Sequence, residues 1–92
     1  MAEIRRQIEE FRKELDEIDD QLADLLNQRA ERVLKIRALK QQGNIALFDP
    51  KREEEIFNRA IANNKGPLFD ETLREILDTI IDRMRELEKD ER

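Results

Sequence analysis

Several charged side chains stand at positions where the apolar pattern of this sequence would favour leucine or isoleucine. Arg29 and Lys40 continue the helical spacing of apolar residues that also includes Leu25, Val33 and Ile36. A charge on such a face needs an anionic partner or water, because burying it unpaired is costly. Cations at these positions therefore predict a polar pocket that suits a small anion.

Three further charged residues extend this prediction. Arg52 and Glu53 lie one helical turn before Ile56 and Phe57, on the side of their helix that we expect to be buried. Glu88 continues the apolar edge of the last helix. In the alternative interpretation, each long side chain only reaches along its helix to the surface. The predicted pocket is lined by Arg29, Lys40, Arg52, Glu53 and Glu88.

Arg12 requires a separate interpretation, because it precedes Arg29 by 17 residues. On a helix this separation is about 25 Å, too far for both to serve one pocket in one chain. If two long helices pair antiparallel, Arg12 of one chain could enter the pocket of the other. The alternative is an ordinary solvated surface arginine.

The elements that must position these residues are three helices, predicted at about 2–42, 50–64 and 70–89 of a single domain, 1–92. The first segment contains no Gly or Pro before Gly43, and its apolar residues are spaced alternately by four and three. Gly43 and Asn44 supply its stop. The apolar stripe of its first part consists of Ile4, Ile8, Phe11, Leu15, Ile18, Leu22 and Leu25.

Short polar residues are expected to cap the other two helices. Asp49 followed by Pro50 predicts a helix start, with Asp49 as the N-cap. Asp70 is predicted to cap the third helix, and residues 89–92 are expected to fray.

The length of the first helix bears on assembly. About 40 helical residues extend roughly 60 Å, whereas a compact domain of this size is only about 30 Å across. The stripe therefore cannot be covered within one chain unless the helix breaks, and the sequence predicts a homodimer. A helical bundle or coiled coil without an active site remains the alternative.

Composition excludes several classes of function. The net charge is −5, which argues against a nucleic-acid partner, and there is no Cys or His to serve as nucleophile, general base or metal ligand. No apolar run approaches the length of a membrane span. We expect a cytoplasmic protein with no membrane partner.

The sequence resembles the all-helical chorismate mutases, the AroQ class, over about residues 8–88. The stretch 48–53 together with 63–67 is similar to the subgroup associated with 3-deoxy-heptulosonate-phosphate synthases, which implies a possible synthase partner. The segments that carry the resemblance are Phe11-Arg12-Lys13, Ile18-Asp19-Asp20-Gln21-Leu22, Leu25-Leu26-Asn27-Gln28-Arg29, Ile36-Arg37-Ala38-Leu39-Lys40 and Asp49-Pro50-Lys51-Arg52-Glu53.

This resemblance implies an all-α, intertwined homodimer of three-helix chains that converts chorismate to prephenate without a cofactor or metal. It further implies that Arg29 and the partner's Arg12 hold the two substrate carboxylates. Lys40 would donate to the ether oxygen of the breaking bond, with Glu88 as the second donor. The catalytic residues expected on this basis are Lys40, Glu88 and Arg29.

By the same resemblance, Asp49 and Glu53 would contact the ring hydroxyl, and Arg52 would add positive potential beside them. Met84 and Arg85 belong to the expected substrate-binding set but depart from the family, because a small polar residue is common at position 84 and an apolar one at position 85. Two other functions stay open: a non-catalytic regulatory domain that binds prephenate or a synthase, and an isochorismate-pyruvate lyase.

Overall fold

The computed structural model describes residues 1–88, which form three α-helices and one short 3₁₀ turn. Helix α1 runs over Ala2–Gln42, α2 over Pro50–Asn63 and α3 over Asp70–Arg85, and the 3₁₀ turn over Glu86–Glu88 follows directly. The prediction of an all-α chain with a long first helix is confirmed. The predicted helical residue 89 and the predicted fraying of 89–92 lie outside the described residues.

Helix α1 ends where the sequence predicts. The backbone N–H of Gly43 donates to the carbonyl of Leu39 at 2.9 Å, and that of Ile45 donates to the carbonyl of Lys40 at 2.7 Å. Asn44 adopts a positive φ of 54°, a left-handed conformation that asparagine tolerates better than most residues. The chain therefore turns sharply just after Lys40.

The two following helices begin differently. The Asp49 side chain accepts a hydrogen bond of 3.1 Å from the backbone N–H of Arg52, so the predicted N-cap of α2 is confirmed. The prediction that Asp70 caps α3 is wrong, because α3 already begins at Asp70 and its N-cap is Phe69, which makes no side-chain cap bond. The Asp70 carboxylate instead accepts a hydrogen bond of 2.8 Å from the Asn64 side chain.

The chain divides into two compact units, residues 1–32 and a unit that begins at Val33. In the second unit α2 packs against α3, where Phe57 and Ile81 are buried at 6% and 7% exposure. The guanidinium of Arg74 lies 4.3 Å from the centre of the Phe57 ring and covers it. The single domain over 1–92 stays a prediction.

The first unit is one stretch of helix whose apolar stripe is uncovered. No residue of α1 is buried, and Phe11 is 66% exposed. All seven residues of the stripe are exposed: Ile4, Ile8, Phe11, Leu15, Ile18, Leu22 and Leu25. Within residues 1–88, no helix is long and apolar enough to cross a membrane.

Candidate functional site

The second unit places Lys40 against the loop that joins α1 to α2. Its Nζ donates a hydrogen bond of 3.1 Å to the backbone carbonyl of Leu47, and the side chain is half-buried. An ammonium group has three donors, so this bond leaves capacity for a ligand. Lys40 is therefore held in place at the end of α1 while it keeps the ability to donate to an oxygen.

An ion pair joins α2 to α3 at the positions predicted for substrate binding. The guanidinium of Arg85 contacts the carboxylate of Glu53, and its Nη1 donates to Asp82 Oδ1 at 3.0 Å. The same guanidinium lies 5.5 Å from the centre of the Phe48 ring. The hydrogen bond to Glu53 is the main cause that raises the pKa of Arg85. Because this pKa is raised in the folded chain, the contribution of the Arg85 charge to stability is lost as the pH rises through it, in strong alkali.

Glu88 lies in the 3₁₀ turn that follows α3. Its backbone is contacted by Arg37, a residue that the sequence pattern did not predict to belong to the site. Arg37 Nε donates a hydrogen bond of 3.0 Å to the carbonyl of Glu88. Arg37 was missed because it stands one position beside the apolar spacing of α1, where a charge needs no explanation. Met84 and Glu88 are both half-buried, one helical turn apart.

Arg52 does not lie on the buried side of α2 in a single chain, so that expectation is corrected. Its side chain is 60% exposed and forms an ion pair of 3.6 Å with Glu55. Successive helical residues point about 100° apart, so Glu53 faces α3 while its neighbour Arg52 points away. Asp49 is exposed as well, and the structure gives it the role of the α2 cap.

Two of the predicted residues belong to the first unit. Arg12 is exposed and pairs with Glu9 at 3.0 Å on the same helix, whereas Arg29 is half-buried. Within the second unit, the structure brings Glu53 and Arg85 into direct contact. It also places Lys40 and Arg85 on adjacent loop residues, Leu47 and Phe48. No group of three or more acidic, His or Cys side chains in residues 1–88 could hold a metal ion.

Lys40 and Arg85 of the second unit supply cations and Glu53 supplies a carboxylate, and the sequence contains no Cys or His that could act as a nucleophile. Residues 11–89 of the chain match the family described as chorismate mutase type II. The chain belongs to this family. The resemblance seen in the sequence is thereby confirmed, and chorismate mutase function is the expectation that family membership supports.

Curated relatives agree with the family assignment. A bifunctional chorismate mutase/prephenate dehydratase of Aquifex aeolicus is 38% identical over 87 residues, which are 90% of this chain and 24% of that protein. A protein of the same name from Neisseria gonorrhoeae is 40% identical over 62 residues, 67% of this chain and 17% of that protein. The chain thus spans a quarter or less of the curated relatives it matches. Neither name includes a synthase, and the predicted synthase subgroup is not confirmed.

Solved structures share both the family and the fold. Form II of the chorismate mutase from Thermus thermophilus superposes with a TM-score of 0.90 at 34% identity, covering 92% of this chain and 97% of that one. Form I of the same protein gives a TM-score of 0.84 at 35% identity, with 85% of this chain and 98% of that one covered. The AroQ type of fold predicted from the sequence is confirmed.

Proposed function

We propose that this chain catalyses the rearrangement of chorismate to prephenate in the synthesis of aromatic amino acids. The observation that carries the proposal is its likeness, at 34% identity, to nearly the whole of a solved chorismate mutase chain. The chemistry fits the residues present. An intramolecular rearrangement of this kind needs no base or nucleophile; it needs a folded substrate and a stabilised negative charge on the ether oxygen.

In this proposal the two carboxylates of chorismate bind to arginines, whose planar guanidinium groups donate two parallel hydrogen bonds to a carboxylate. Arg29 holds one carboxylate and the partner's Arg12 holds the other. Lys40 donates to the ether oxygen as the C–O bond lengthens, and Glu88 donates to it as well. The half-buried Lys40 ammonium, anchored at 3.1 Å to the loop, supports its role as the charged donor.

The remaining binding residues surround the ring of the substrate. Asp49 and Glu53 contact the ring hydroxyl, and Arg52 contributes positive potential. Met84 and Arg85 form the wall beside them on α3. The half-buried position of Glu53, at 22% exposure, supports a binding role more directly than the exposed positions of Asp49 and Arg52 do.

The assembly that we propose is a homodimer in which a second copy of the chain covers the exposed stripe of α1. Seven large apolar side chains aligned on one face form an apolar patch that monomeric proteins rarely expose to solvent. An antiparallel second copy places Arg12 of each chain beside the site of the other. Three statements stay predictions from the sequence: a cytoplasmic location, no nucleic-acid partner and no membrane partner. A possible synthase partner stays a prediction from the family resemblance.

The reaction is tested by following the loss of chorismate and identifying the product by mass. Prephenate is the expected product. Salicylate with pyruvate would instead assign the lyase function. No turnover, together with binding of prephenate by calorimetry, would assign a regulatory domain. Analytical ultracentrifugation of the same sample should give the mass of two chains, and a monomer would contradict the shared site.

Replacing Glu88 with Gln should raise activity at neutral pH. A carboxyl group can donate a hydrogen bond to the ether oxygen only when it carries a proton, whereas an amide always carries N–H donors. Steady-state rates of the two proteins at neutral pH provide the test, and equal rates would remove Glu88 from the reacting centre.

A further inference from the structure

We propose that Arg85 is a positioning residue that acts through Glu53: it orients the Glu53 carboxylate and cancels its charge so that a doubly negative substrate can bind beside it. The inference rests on the proposed function and adds to it a specific role for a residue that departs from the family. Arg85 acts here by holding a group that touches the substrate, without itself touching the reacting atoms.

Three contacts fix the Arg85 guanidinium. It pairs with the Glu53 carboxylate on α2, donates to Asp82 on α3 at 3.0 Å and lies 5.5 Å from the centre of the Phe48 ring. A guanidinium is planar and donates in fixed directions, so contacts on three sides determine its orientation and, through it, that of Glu53. The pair joins two helices beside the loop that contacts Lys40, so these contacts hold Glu53 in place.

Only one oxygen of Glu53 is used in this pair. The contact is made through Oε2, which leaves Oε1 to accept a hydrogen bond from a ring hydroxyl. Arg85 therefore occupies one oxygen of the carboxylate, and the proposal assigns the other oxygen to the ring hydroxyl of the substrate.

The charge of Glu53 gives the pair its second effect. The Glu53 side chain is only 22% exposed, so water screens it poorly. An unpaired carboxylate there would repel the two carboxylates of chorismate. The neighbouring cation Arg52 points away and pairs with Glu55 at 3.6 Å. Arg85 is thus the cation placed to neutralise Glu53 before the substrate arrives.

The test measures kcat and KM for chorismate with the full chain. Arg85→Met should raise KM about tenfold or more with a smaller change in kcat, because like-charge repulsion weakens binding before the chemical step. Arg85→Lys keeps the charge and should recover most of the loss. Adding Glu53→Gln to Arg85→Met should lower KM again, towards the value of Glu53→Gln alone, because the amide carries no charge to repel the substrate.

Arg83→Met is the matched control, because Arg83 lies on the same helix, is 77% exposed and pairs with Glu86 at 3.1 Å. It should leave KM unchanged. The inference is overturned if Arg85→Met lowers the melting temperature without changing KM, or if Glu53→Gln leaves the effect of Arg85→Met undiminished. Either result would mean that Arg85 only stabilises the packing of α2 against α3. If the unaltered chain does not convert chorismate at all, the proposed function fails and this inference fails with it. If the unaltered chain converts chorismate normally and Arg85→Met has the same KM, only this inference is refuted.

Discussion

Replacing Lys40 with Met is expected to lower kcat by about 10²–10³-fold, the usual loss when one preorganised donor to a developing negative charge is removed. The ammonium is half-buried and already held against the Leu47 carbonyl at 3.1 Å, so it does not reorganise as charge grows on the ether oxygen. Methionine retains a similar length and apolar stem but cannot donate. Because the lost interaction strengthens in the transition state, kcat should fall more than KM rises.

Stability must be measured beside this rate, because the same substitution removes the hydrogen bond to Leu47. Loss of one such bond is expected to lower the free energy of unfolding by about 1 kcal/mol, which leaves the chain folded. Lys35→Met is the matched control, since Lys35 is an exposed lysine on the same helix. Equal rates for both variants and the unaltered chain would remove Lys40 from the reacting centre.

The helices could be predicted from the sequence because their signals are local. Seven apolar residues at spacings of four and three specify α1, and the Gly43-Asn44 stop and the Asp49 cap fix the ends of the following loop. Each signal involves residues within a few positions of one another, so it can be recognised without knowing the tertiary structure. Asp70 shows the limit of such reasoning, because its carboxylate bonds to Asn64 across a loop instead of capping α3.

The contacts of the site were only partly predictable. The positions of Lys40 and Glu53 could be identified because a charge interrupts an apolar pattern there. Arg37 and Phe48 gave no such signal. Arg37 contacts Glu88, which lies 51 positions further along the chain, and Phe48 contacts Arg85, which lies 37 positions further along. Arg85 looked like a simple departure from the family, and its pairing with Glu53 became visible only once α2 and α3 were packed together.

The site shared between two chains leads to the second large effect, which is complementation between inactive variants. Arg12→Met and Lys40→Met should each lower activity at least about 100-fold, because each removes a charge-assisted contact to the substrate. Unfolding the two variants together and refolding the mixture allows mixed dimers to form. In a mixed dimer, the chain that keeps Lys40 receives an intact Arg12 from its partner. One of the two sites of the mixed dimer is therefore complete.

The expected recovery follows from symmetry. If equal amounts of the two chains assemble at random, half of the dimers are mixed and each has one complete site, so about a quarter of the original activity should return. Arg29→Met mixed with Lys40→Met is the control, because both residues are proposed to serve the site of their own chain. Each site of that mixed dimer lacks one of the two, and no activity should return.

The comparison separates the possible positions of Arg12 directly. If Arg12 served the site of its own chain, the first mixture would behave like the control and stay inactive. If Arg12 were an ordinary surface residue, its single variant would be fully active before any mixing. Arg12 is exposed and pairs only with Glu9 among the ion pairs described for residues 1–88, and that pair contributes little energy at the surface. Breaking the Arg12–Glu9 pair to reach a substrate carboxylate across the dimer therefore costs little free energy. An exposed arginine on an uncovered helix is thus suited to complete the site of another chain.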